Sequence, residues 1–102
     1  MSGQNIKFEK VPFSWKPKKY LEYLRDKMGI HFTRNVKVGE AVTIDLPKDG
    51  KKFRIFYLGE TPEKYAVDAN VLTVYLPKTV LVYVCEDPTK VSHFRVEVFI
   101  AS

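Results

Sequence analysis

The strongest constraint on how this chain folds is a segment that nearly repeats. TIDLPK at Thr43–Lys48 recurs thirty positions later as TVYLPK at Thr73–Lys78, with four of six residues identical. Each copy ends an apolar run at Leu-Pro-Lys, and proline lacks the N–H that a continuing strand would donate. Both copies are therefore predicted to be strands that end at a turn.

A shorter match stands ahead of each copy. KPKKY at Lys16–Tyr20 and TPEKY at Thr61–Tyr65 share Pro, Lys and Tyr. A four-of-six identity alone is expected by chance about once in a chain of this length, so coincidence with common turn chemistry remains an alternative. The shared order of two matches favours a duplication. It predicts one domain over residues 1–102, made of a first unit at 1–58 and a second at 59–102 about a pseudo-twofold axis.

Two stretches carry helix signals. An apolar stripe at helical spacing predicts the main helix between Pro17 and Met28, and Gly29 suits its C-terminal cap. The stripe consists of Tyr20, Leu21, Leu24 and Met28. Thr61 and Pro62 are typical of the N-cap and first turn of a second, short helix.

The other apolar segments are short and are separated by Pro, Gly and Asp, as strands are. They are residues 6–11, 41–46, 52–58, 71–76, 79–85 and 92–100. The most apolar of them, 79–85, is expected to be the central strand. The turn after Pro47 predicts antiparallel pairing of 41–46 with 52–58. The resulting fold class is α+β. We expect a small, chiefly antiparallel sheet with one main helix and one short helix, in two similar strand-helix-strand-strand units.

Composition bounds the function classes. The chain has 102 residues, 45% of them hydrophobic, and a net charge of +5. Residues 1–40 hold nine basic and four acidic groups, so all the excess positive charge lies there. No apolar run approaches the roughly 20 residues of a membrane-spanning helix, which predicts no membrane partner. Cys85 is the single cysteine, which excludes an internal disulfide and predicts an intracellular protein.

Residues for catalysis are few, which predicts a protein that is not an enzyme and needs no cofactor or metal. Ser92 and His93 are neighbours on a predicted strand, so their side chains point to opposite faces. Cys85 ends an apolar segment and is typical of a small buried hydrophobe. The five glycines form no phosphate-binding loop.

Two surfaces are candidate binding sites. The preferred hypothesis is a protein or peptide partner, bound by aromatic side chains in a groove between the two units or added as a strand to an open sheet edge. The aromatic candidates are Phe56, Tyr57, Tyr75, Tyr83 and Phe99. The other interpretation is that helices or a second copy of the chain, as a homo-oligomer, cover these rings.

The alternative function is nucleic-acid binding by basic and aromatic residues around the predicted main helix. This set is Trp15, Lys16, Lys18, Lys19, Arg25 and Lys27. Glu22 and Asp26 interrupt the set, and a solvated helix face explains the lysines equally well.

From KPKKY at Lys16–Tyr20, through both Leu-Pro-Lys segments, to the strand Phe94–Ile100, the chain resembles the small proteins of filamentous viruses of hyperthermophilic archaea, of the Acidianus filamentous virus type. This resemblance covers the whole chain but brings no catalytic or ligand-binding residue with it. It implies a viral protein in the host cytoplasm or in the virion.

Overall fold

Eight short strands make up most of the described chain. The computed structural model describes residues 6–11, 32–47, 52–86 and 94–102, together with residues 19, 22, 23 and 26. The strands are β1 (Phe8–Lys10), β2 (Phe32–Val36), β3 (Ala41–Asp45), β4 (Phe53–Gly59), β5 (Tyr65–Asp68), β6 (Val71–Tyr75), β7 (Thr79–Glu86) and β8 (Phe94–Ala101). They form a five-stranded sheet in the order β1-β4-β7-β8-β2 and a three-stranded sheet in the order β3-β6-β5.

The predicted α+β class is wrong, because the described chain is predominantly β in two sheets. Of the predicted main helix over 17–28, only Lys19, Glu22, Tyr23 and Asp26 are described. Their backbone is helical, but no helix can be delimited among the described residues. The other residues of that prediction lie outside the described part of the chain.

The predicted short helix at Thr61 is also wrong. The segment from Thr61 to Lys64 has no helical residue and leads directly into β5. The backbone N–H of Tyr75 donates to the carbonyl of Lys64 at 3.0 Å. Pairing with β6 therefore overrides the helix-start signal of Thr61-Pro62, which is a weak preference beside tertiary hydrogen bonds.

Strand β7 is the centre of the five-stranded sheet, as its apolar sequence predicts. It pairs antiparallel with β4 and β8, while the edge strands β1 and β2 run parallel to β4 and β8. On one face of β7, Leu81, Tyr83 and Cys85 belong to one buried cluster. On the other face, Val80, Val82 and Val84 belong to a second cluster. A strand buried on both faces needs this near-continuous apolar run.

The three-stranded sheet covers one of these faces. In β3 and β6, buried residues alternate with exposed or half-buried ones. Val42, Ile44, Leu72 and Val74 belong to the same core cluster as Ile55 of β4. The period of two places alternate side chains on one face, so each strand contributes its apolar side to the core.

The two copies of the repeat pair with each other. Thr43 lies opposite Thr73, and the pairs Ala41–Tyr75 and Asp45–Val71 lie symmetrically on either side. Leu46 and Leu76 are buried after their strands. From each copy the chain then passes to the five-stranded sheet, where β4 and β7 also pair antiparallel. β3–β4 and β6–β7 therefore follow the same path from the three-stranded to the five-stranded sheet, and a common twofold axis between them stays a prediction.

Two finer predictions fail. Segments 41–46 and 52–58 do not pair, because β3 and β4 lie in different sheets. The described residues do not form two similar strand-helix-strand-strand units, because β4 is followed by β5 with no helix between them. The division of the chain into residues 1–58 and 59–102 stays a prediction.

Two glycines with positive φ differ in their surroundings. Gly59 ends β4 at φ +114°, and a Cβ there would lie 2.7 Å from the carbonyl oxygen of Lys78. The next residue, Glu60, donates its N–H to that same oxygen at 3.0 Å. Gly39 has φ +90°, but no atom lies within 4 Å of a Cβ placed on it. Only at Gly59 do backbone conformation and space both require glycine.

We expect Gly59→Ala to lower the free energy of unfolding by about 3 kcal/mol, because it adds a backbone clash to the strain at positive φ. Gly39→Ala is the matched control and should cost about 1 kcal/mol, from conformational strain alone. Denaturant unfolding of the two variants measures both values. Equal losses would contradict the close approach of Gly59 to Lys78.

Candidate functional site

The five aromatic candidates do not form one surface. Tyr57, Tyr83 and Phe99 are buried, and Phe56 is half-buried against the valine-lined face of the five-stranded sheet. Because that sheet is buried on both faces, a ring that faces away from the first core faces the second. Tyr75 alone of the five is exposed, at 50%. A contact between Tyr75 and a partner stays a prediction.

A groove lies beside Tyr75, between the turn after β2 and the segment that leads into β5. Its volume is about 410 Å³. It is lined by Val38, Gly39, Glu60, Thr61, Glu63, Lys64, Tyr75, Leu76 and Pro77. Val38 and Tyr75 are both about half exposed, at 52% and 50%. We call this feature the Tyr75 groove.

The first wall of the Tyr75 groove is a tight turn. The N–H of Glu40 donates to the carbonyl of Lys37 at 3.0 Å, and Gly39 supplies the positive φ at the third position of the turn. The N–H of Gly39 donates to the carbonyl of Leu76 at 2.6 Å, and the N–H of Leu76 donates to the carbonyl of Glu40 at 3.0 Å. Gly39 and Glu40 thus lie opposite the single residue Leu76, as in a β-bulge. This bulge holds the turn that carries Val38 against the end of β6.

The second wall is the segment from Glu60 to Lys64. Its ends are held by the bonds from Glu60 N–H to Lys78 and from Tyr75 N–H to Lys64, both 3.0 Å. Between them, the hydroxyl of Thr61 donates to Tyr57 Oη at 3.1 Å and Pro62 is buried. Backbone hydrogen bonds therefore fix both walls without a ligand.

The ionic groups of the Tyr75 groove are Glu60, Glu63 and Lys64. Glu40, behind the first wall, accepts a hydrogen bond from Arg34 Nη2 at 3.0 Å and forms an ion pair with it. The lining thus carries two carboxylates and one ammonium group on a chain whose net charge is +5.

Sequence reasoning missed most of this groove. Residues 34–39 give no clear periodicity, and the signal at Thr61-Pro62 favours a helix over an extended wall. Tyr75 was among the five aromatic candidates, and it could have been preferred to the other four because it replaces the polar Asp45 of the first copy of the repeat. Gly39 was the other available signal, since glycine is favoured where a turn needs positive φ.

The candidate catalytic and nucleic-acid residues fall mostly outside the described chain. Ser92 and His93 lie there, as do Trp15, Lys16, Lys18, Arg25 and Lys27. Lys19 is described and exposed. Cys85 is buried, and its thiol donates to the carbonyl of Glu86 at 3.4 Å. Within the described ranges, no group of His, Cys, Asp and Glu is placed to hold a metal ion.

A half-buried carboxylate lies elsewhere, on β8. Glu97 is opposite Tyr83 and within 3.3 Å of Arg95 Nε, and its side chain is 15% exposed. Desolvation by burial raises the pKa of Glu97 above 4.5, Arg95 opposes the shift, and the charge of Asp45 adds to it.

The pKa of Glu9 on β1 shifts in the opposite direction. Arg54 donates two hydrogen bonds to Glu9, at 2.8 and 2.6 Å, and these lower its pKa.

These opposite shifts predict opposite pH dependences. A raised folded-state pKa gives stability that is full below pH 4.5 and is lost as pH rises through the folded pKa. Glu97→Gln should therefore match wild type at low pH and become more stable above that pKa. Glu9→Gln should be less stable than wild type above pH 4.5, and the difference should vanish as pH falls through the lowered pKa. Urea unfolding of the three proteins between pH 3 and 8 measures both trends. If the two substitutions changed the free energy of unfolding in the same direction above pH 4.5, the assignment would be contradicted.

Comparisons with protein-family models, with curated proteins and with solved structures give no match. The resemblance to archaeal virus proteins is not supported by them and stays a prediction. In the described part of the chain, no helix is long and apolar enough to cross a membrane.

Proposed function

We propose that this protein is a non-enzymatic binding module that holds an extended segment of a protein partner in the Tyr75 groove. The observation that carries the proposal is an aromatic side chain, 50% exposed, on a groove floor whose two walls are fixed by backbone hydrogen bonds. Tyrosine is enriched among the residues that anchor protein interfaces.

The groove favours a peptide segment on physical grounds. Tyr75 and Val38 expose apolar surface that a partner side chain can bury, at about 25 cal/mol per Å². Walls that are already fixed avoid the entropy cost of ordering a loop on binding. A volume of about 410 Å³ is at the small end of the roughly 300–1,000 Å³ of ligand cavities and suits a few residues of a chain.

The position of the groove agrees with the prediction that a partner binds between the two units of the chain. Val38 and Gly39 come from residues 1–58, and the other lining residues come from 59–102. The floor is the end of the second copy, at Tyr75-Leu76-Pro77. The proposal places the protein in the host cytoplasm or the virion, as the sequence resemblance implies.

Selection from a displayed library of random eight-residue peptides tests the proposal. We expect the wild-type protein to enrich peptides with a common apolar residue. Tyr75→Ser should weaken their binding at least tenfold, because it removes the ring that anchors them. Since Tyr75 is exposed, the variant's free energy of unfolding should stay within about 0.5 kcal/mol of wild type.

Tyr65→Ser is the matched control for this selection. Tyr65 is also exposed, at 37%, but its ring packs edge-on against Phe8, with ring centroids 5.3 Å apart, and does not line the groove. A denaturant unfolding curve should first show that the Tyr65→Ser variant is folded. The variant should then bind the peptides as wild type does. Failure to enrich any peptide, or equal binding by Tyr75→Ser, would contradict the proposed function.

A further inference from the structure

We infer that the segment bound in the Tyr75 groove carries a basic side chain next to its apolar residue. This inference rests on the proposed function and specifies the chemistry of the partner. It comes from the charges of the groove lining, because Glu60 and Glu63 line the same groove as the exposed ring of Tyr75.

Neither carboxylate forms an ion pair with another residue of the described part of the chain. The ion pairs of the described residues engage other glutamates, namely Glu9, Glu40 and Glu97. Arg34, behind the first wall, is held by Glu40 at 3.0 Å. An incoming basic group would therefore meet Glu60 and Glu63 without first displacing an ion pair among these residues.

Lys64 is the one basic residue of the lining and offsets one of the two carboxylates. Lys37 and Lys78 stand next to lining residues in sequence but do not line the groove. The lining has a net charge of −1, whereas the whole chain carries +5. The groove is thus a local acidic site on a basic protein, where a basic segment is attracted and an acidic one gains nothing.

Charge pairing at an exposed groove gives selectivity more than affinity. An exposed ion pair adds at most about a factor of five to binding, and salt screens it within roughly 10 Å. The apolar contact with Tyr75 should therefore provide most of the binding, and Glu60 and Glu63 should decide which apolar segments are accepted.

The test uses the same displayed library and reads the charge of the enriched peptides. We expect Lys or Arg beside the common apolar residue at least threefold more often than in the starting library. Glu60→Lys and Glu63→Lys should each abolish this preference or reverse it towards Asp and Glu. Synthetic copies of enriched peptides should bind wild type more weakly as salt rises from 50 to 500 mM.

Glu86→Lys is the matched control, because Glu86 is exposed at the far end of β7, roughly 23 Å along the strand from Thr79. It should leave the basic preference unchanged. Tyr75-dependent peptides without a basic preference would overturn this inference and leave the proposed function standing. The absence of any Tyr75-dependent peptide would overturn both.

Discussion

The antiparallel pairing of β3 with β6 is the interaction on which the described fold depends. It brings the two repeat copies together about Thr43 and Thr73, so that their alternate apolar residues form one continuous face. That face covers β4 and β7. The buried side chains of Leu46 and Leu76, worth about 2 kcal/mol each, close its two ends. The prolines that follow cannot donate to the sheet, and the chain leaves there for the second layer.

Burying β7 on both faces also requires its polar groups to be satisfied. The hydroxyl of Tyr83 reaches across the core and donates to the carbonyl of Asp45 at 3.2 Å, which ties the two sheets together. Thr79 donates to the carbonyl of Leu58 at 3.1 Å, beside the close contact of Gly59. Among the described residues no buried side-chain nitrogen or oxygen lacks a partner. The ring of Tyr83 is therefore buried in the core without leaving its hydroxyl unsatisfied.

Local patterns predict the strands well and their partners poorly. Alternation and apolar runs identify β3, β4, β6, β7 and β8 to within a few residues, because the period of two is a local property. Which strands pair is not local. The turn after Pro47 favours a hairpin, but both β3 and β4 turn apolar faces to the core from opposite layers. The rings of Tyr83 and Phe99 looked available only because a sequence does not show how many faces of a sheet are covered.

Among the described surfaces, the groove fits the proposed partner segment better than an open sheet edge does. Adding a strand needs a long, regular edge, and proteins protect such edges with short strands, bulges, charges and prolines. Here β3 follows the Gly39 bulge and ends two residues before Pro47, and β5 has four residues. At the edges of the larger sheet, β1 has three residues, and β2 carries Arg34, which is held by Glu40. With each edge shortened or protected, the half-exposed ring of Tyr75 between two fixed walls is the better site for an extended segment.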